Sequence, residues 1–179
     1  MRQIADGSAQ ALGVVTYHFA SKEALFEQVV VRRAQELNSL RHQALEALDN
    51  PTLEQVIAAF LGPFLDRIEN GGAGWTAYAQ LLAQISHQAR WADLLAELFG
   101  ETVRRFIRAM RDAEPGLSLE NAKHGYVQLV AVMVGLFAST RLIDRLSPSE
   151  PPDGLTRQYE VSVKFVAHGI RGLKCGPEN

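Results

Sequence analysis

Apolar residues recur along this chain at steps of three and four, in long segments cut apart by proline and glycine, and almost nowhere alternate with period two. Half-buried strands need that alternation and amphipathic helices need the three-four step, so the spacing predicts an all-α fold. The 179 residues suit one principal domain, since a domain usually takes roughly 100–200. Hydrophobic residues make up 47% and charged residues 21% of the chain, which is ordinary globular usage and argues against a disordered or fibrous chain.

The punctuation places the helices. One long helix is expected from Ser21 to about Leu48, capped by Ser21, with a stripe through Phe26, Val30, Arg33, Leu37, Leu40, Ala44 and Leu48. Asn50-Pro51 predicts a break and restart, with asparagine as cap and proline at the first helical position of a helix reaching Glu69. Pro63 inside that helix removes an amide donor and predicts a kink. Asn70 to Gly74 ends it, and helical signals resume at Trp75, pass a junction near His87 to Arg90, and stop at Glu114-Pro115-Gly116. Ser118 reads as the cap of a helix to about Leu146, and residues Asp153 to about Lys174 read as a closing helix.

Eighteen basic against twenty acidic side chains give a net charge of −2, which excludes a globally basic nucleic-acid coat but not a small DNA-reading module. The longest nearly apolar run, Val127 to Ala138, is shorter than the roughly 18 residues a membrane span needs. No signal segment opens the chain and Cys175 is its single cysteine, so a soluble, cytoplasmic protein without membrane partner or internal disulfide is expected.

The first twenty-two residues are too short and broken for a core helix. Ile4-Ala5 closes a short helical turn, Asp6-Gly7-Ser8 is turn chemistry, and Ala9 to Tyr17 is a second short helix followed by His18-Phe19-Ala20-Ser21-Lys22-Glu23. Short helix, turn, short helix is the helix-turn-helix layout, in which one helix enters the major groove while flanking groups hold phosphates.

Ile4-Ala5, eleven further residues, then Tyr17-His18-Phe19-Ala20-Ser21-Lys22-Glu23-Ala24-Leu25 resembles the second half of the DNA-binding domain of TetR-type transcriptional regulators. Leu12 and Val15 also fall on types expected of its recognition helix. Ala9 stands where the family's turn usually has glycine, and Gln10 where it usually has an apolar residue. The family's first helix has no counterpart after Met1, so a truncated start is expected, with a net of about one positive charge on the reading face. The resemblance implies that Leu12, Gly13, Thr16 and Tyr17 face the groove and that His18 and Lys22 lie near phosphate, with Val15 and Phe19 turned to the small domain's core. It divides the chain into a partial helix-turn-helix domain with linker helix, residues 1–47, and an effector-binding and dimerisation domain, residues 48–179.

The middle helices carry an excess of aromatic residues. Spacing alone leaves two readings open, an ordinary core or an apolar effector cavity with placed polar groups such as Gln80, Gln84, His87 or Gln128. The resemblance implies a small-molecule pocket, for which the candidate residues are Phe60, Phe64, Tyr78, Leu82, Trp91, Phe106, Tyr126 and Met133. The effector expected there is hydrophobic or aromatic.

Ala131, Gly135 and Ser139 form a small-residue face at four-residue steps, and Val161, Phe165 and Gly169 repeat the pattern near the end of the chain. Small residues let helix axes approach, so these two helices are candidates for a four-helix interface between two copies, with a buried monomer core as the other reading. A homodimer would place two reading helices about 34–36 Å apart, the separation a palindromic double-stranded operator requires.

Other patterns carry less. Arg104, Arg105, Arg108 and Arg111 read as a solvated face, with Glu101 spaced to pair with Arg105. Glu120 and His124 share a helical face but no second pair completes a metal site, and no nucleophile elbow or phosphate loop occurs. No metal, cofactor or enzyme activity is expected. The function expected is a ligand-responsive DNA-binding repressor; the alternative is a helical ligand-binding or dimerisation protein that no longer binds DNA.

Overall fold

The computed structural model describes residues 21–86, 88–138 and 154–174, the side chains of Lys22, Glu23 and Ala138 excepted. Among these residues every regular element is helical: α1 (Lys22–Glu46), α2 (Leu53–Asn70), α3 (Ala73–Ser86), a 3-10 turn (Ala89–Trp91), α4 (Ala92–Ala113), α5 (Leu119–Ala138) and α6 (Leu155–Gly172). The all-α expectation holds. The reading head at residues 1–20, the extension of α5 to Leu146 and the loop before α6 lie outside the described residues.

Helix α1 starts where expected, because the Ser21 hydroxyl accepts the Ala24 amide at 3.0 Å and satisfies one of the free donors of the first turn. Its buried positions are Val30, Ala34, Leu37 and Arg41. Of the stripe read along it, Val30 and Leu37 are buried while Phe26, Arg33, Leu40, Ala44 and Leu48 are half-buried, and the buried row takes in Ala34 and Arg41 instead. The chain divides into two compact units, Met1–Glu36 and Leu37–Asn179, and the division falls within α1.

The start of α2 also differs from expectation. Asn50 sits in the left-handed region at φ 43°, which asparagine tolerates, and the cap is Thr52. The Thr52 hydroxyl accepts the Gln55 amide at 3.3 Å while the Gln55 side-chain oxygen accepts the Thr52 amide at 2.8 Å. Two donors are satisfied reciprocally, and the Thr-x-x-Gln pattern that does this was legible in the sequence. Gly72 and Gly116, at φ 84° and 93°, make the turns after α2 and α4. Ser118 caps α5 as expected, accepting the Asn121 amide at 3.1 Å.

Within residues 37–179, α5 packs on α2, α3, α4 and α6, and α2 packs on α6 as well. The approach of α5 to α6 requires Gly125, where an added Cβ would stand 2.8 Å from Ile170 Cγ1. One aromatic cluster centres on Phe64, whose ring lies 5.0 to 6.2 Å from those of Phe137, Tyr78 and Trp75. A polar cluster ties the end of α6 to α2 and α4: Arg171 donates to both oxygens of Glu54, at 2.5 and 2.7 Å, and from Nε to Glu114 at 2.6 Å. Lys174 also pairs with Glu114.

Candidate functional site

A cavity of about 270 Å³ lies among α1, α2, α3, α4 and α5. Its buried wall is Arg41, Phe60, Leu82, Tyr126 and Met133, and its half-buried rim includes Leu95, Phe99, Val103, Val130 and Val134. The named rim residues come from α4 and α5 at four-residue steps, Phe99 with Val103 and Val130 with Val134, so each of these helices turns one apolar edge to the opening.

Arg41 is the charged group in that wall. It is 2% exposed, yet among the described residues no carboxylate lies within salt-bridge distance of it. Nε donates to the Phe60 main-chain oxygen at 2.9 Å, Nη2 donates to Met133 Sδ at 2.9 Å, and the guanidinium carbon stands 3.8 Å from the Phe60 ring centroid. Burial lowers its pKa to about 10, partly offset by Tyr126 and Tyr78, so it remains a cation at neutral pH. Burial also pushes the Tyr126 hydroxyl up to about 12, against the pull of Arg41.

The C-terminal part of α1 is held in place by further polar contacts. Asn38 donates to the Leu98 carbonyl at 2.8 Å, and His42 shares a 2.9 Å hydrogen bond with Thr102. Burial, then Arg105, lowers the His42 pKa. Arg105 pairs with Glu46 at 2.6 Å and, as its spacing suggested, with Glu101 at 2.8 Å.

Four of the eight residues read as effector-binding line the cavity: Phe60, Leu82, Tyr126 and Met133. The other four stand elsewhere. Phe106 is buried behind Phe60 in an edge contact of 5.1 Å, Phe64 and Tyr78 belong to the aromatic cluster, and Trp91 sits in the 3-10 turn with Arg90 5.2 Å from its ring. Gln80, Gln84 and Gln128 are exposed, and His87 lies outside the described residues. The charged group of the cavity wall, Arg41, was missed. Its signal was its position four residues after Leu37 on the row Val30, Ala34, Leu37.

On the outer faces of α5 and α6, Val127 is 61%, Val161 50% and Phe165 69% exposed. Ala131, Gly135 and Gly169 are exposed too, with open space beyond both glycines. Ser139 lies outside the described residues, as do Leu12, Gly13, Thr16, Tyr17 and His18 and the side chain of Lys22. Among the described residues no cluster of three or more histidine, cysteine or acidic residues could hold a metal, and no described helix is long and apolar enough to cross a membrane.

Packed helices around an apolar cavity, one of them continuing into a second unit, define the class of all-helical domains with an interior pocket. The family is narrower: residues 58–169 match the family model described as "Tetracyclin repressor-like, C-terminal domain". The chain belongs to the TetR-type transcriptional regulators. No curated protein matches it.

Proposed function

We propose that the chain is a ligand-responsive repressor, acting in the cytoplasm as a homodimer. Residues 1–47 form the reading head and linker helix, with Leu12, Gly13, Thr16 and Tyr17 against the bases and His18 and Lys22 at phosphate. Residues 48–179 carry most of the cavity and the interface that joins two copies through the exposed α5 and α6 rows, Ala131, Gly135, Ser139, Val161, Phe165 and Gly169. A small apolar effector enters the cavity past Phe99 and Val130 and favours an arrangement of the dimer that misses the palindromic operator. Coupling of about 1–3 kcal/mol would change DNA affinity roughly 5–150-fold.

The observation that supports this reading is that Arg41, in the cavity wall, and Lys22, the first residue of α1, belong to one helix. Whatever shifts Arg41 acts on the helix that carries the head. The test is a gel shift against DNA upstream of the chain's own coding region, with salt titration and with apolar or aromatic compounds added. Salt-sensitive retardation, relieved by a compound that also raises the melting temperature, is expected. Absence of retardation at low salt, with compound binding retained, would favour the ligand-binding protein that does not read DNA.

A further inference from the structure

Resting on the reading of the cavity as an effector site, we infer that the effector is an organic anion, a carboxylate on a compact apolar body, and that Arg41 is the residue that binds its carboxylate. A guanidinium carries five N–H donors and a charge that nothing apolar can neutralise. Here one donor is used by the Phe60 carbonyl and one by the thioether of Met133, a weak acceptor. Nη1 makes no hydrogen bond among the described residues. Buried charges are ordinarily paired, and among the described residues Arg41 has no anion to pair with.

A carboxylate supplies the missing element. Its two oxygens match the guanidinium fork, and such a pair is charge-assisted and directional. Replacing the Met133 sulfur at Nη2 would let one ligand oxygen take that donor and the other take Nη1, with the Phe60 contacts unchanged. Tyr126 stands in the same wall, its hydroxyl without a hydrogen bond among the described residues. A phosphate or sulfate group would leave further oxygens in a lining that is mostly apolar, which is unfavourable for acceptors that need several donors. Apart from Arg41, Tyr126 and Ser86 the lining is apolar, so the body of the ligand must be apolar too. At about 270 Å³ the cavity exceeds the ~150 Å³ void known to admit benzene, room for one ring or a short alkyl chain with its acid group.

The experiment is calorimetric titration and thermal unfolding of the full chain with 3-phenylpropanoate and octanoate, each against its neutral primary amide, in the natural protein and in Arg41→Met, Arg41→Lys and Val130→Trp. Acids binding about tenfold or more tighter than amides, with the difference abolished in Arg41→Met and partly kept in Arg41→Lys, is the expected result. Val130→Trp, which fills the rim, should remove acid binding; acid binding retained there would place it outside the cavity and overturn the inference. If Arg41→Met fails to fold, the comparison of acid with amide in the natural protein still decides. Amides that bind as well as acids, or toluene and indole that bind where acids do not, would overturn the anion and leave the apolar effector cavity standing. Failure of acids, amides, toluene and indole alike would remove both.

Discussion

Arg41 reaches from α1 to Phe60 on α2 in two ways at once, donating from Nε to its main-chain oxygen at 2.9 Å and laying the guanidinium carbon 3.8 Å from its ring centroid. A carbonyl dipole and an aromatic face both favour a cation, which is how this one persists without a carboxylate. Neither cancels the charge. The cavity wall thus holds a cation that no described protein group neutralises, and an arginine there costs stability that an apolar residue would not.

Arg41→Met should therefore leave the ligand-free protein as stable as before or raise its unfolding free energy by about 1–3 kcal/mol. Urea denaturation measures this. A loss of several kcal/mol would show that the Phe60 contacts more than offset the desolvation of the guanidinium.

Acid should weaken the junction of α2 with α6. The Arg171 guanidinium, hydrogen-bonded to both Glu54 oxygens, lowers the Glu54 pKa to about 2 from the usual 4.5. Lys174, with Arg171 second, lowers that of Glu114. Because the folded values lie below the unfolded ones, this stabilisation is present above about pH 4.5 and is lost as pH falls toward 2. About a third of the Glu54 and Arg171 side chains is exposed, so solvent screening limits the Glu54 contribution to on the order of 1 kcal/mol. Glu54→Gln should flatten the acid limb of stability against pH and converge with the natural chain only as pH falls through about 2; an unaltered limb would discard the assignment.

Thr52→Ala removes one half of the reciprocal cap on α2 and should cost about 1 kcal/mol, read as a lower melting temperature. Asn50→Ala tests the competing cap. Among the described residues its side chain serves only a local contact to Asp49 at 3.2 Å, so any loss there comes from its positive φ rather than from a lost helix cap.

Phe165→Glu places a charge at the most exposed large apolar residue of α6. Light scattering at micromolar concentration should show a dimer for the natural chain and a monomer for the variant, with helical circular dichroism unchanged. A monomeric natural chain would reject the proposed interface.

Much of the fold is legible locally. Ser21 and Ser118 cap the helices expected of them, Gly72 and Gly116 turn the chain at the breaks read from Asn70 to Gly74 and Glu114-Pro115-Gly116, and Glu101 meets Arg105 one helical turn away. Each depends on residues within a few positions. The Thr52 cap was equally local and was displaced only because Asn50-Pro51 offered a competing signal two residues earlier.

The candidate site was legible in part. Phe60 and Phe64 sit one turn apart on α2 with like side chains, yet one lines the cavity and the other packs against Phe137, Trp75 and Tyr78. Helical period marks both as inward-facing, and only the neighbouring helices decide which of them meets empty space.

The sequence by itself determined the helices, their breaks and most caps, because those energies lie in hydrogen bonds and backbone preferences among near neighbours. Tertiary structure alone decided that Arg41 is buried. Its acceptors are 19 and 92 residues away, on α2 and α5, and whether a charge there meets water or a cavity wall depends on helices that the local pattern of α1 does not describe.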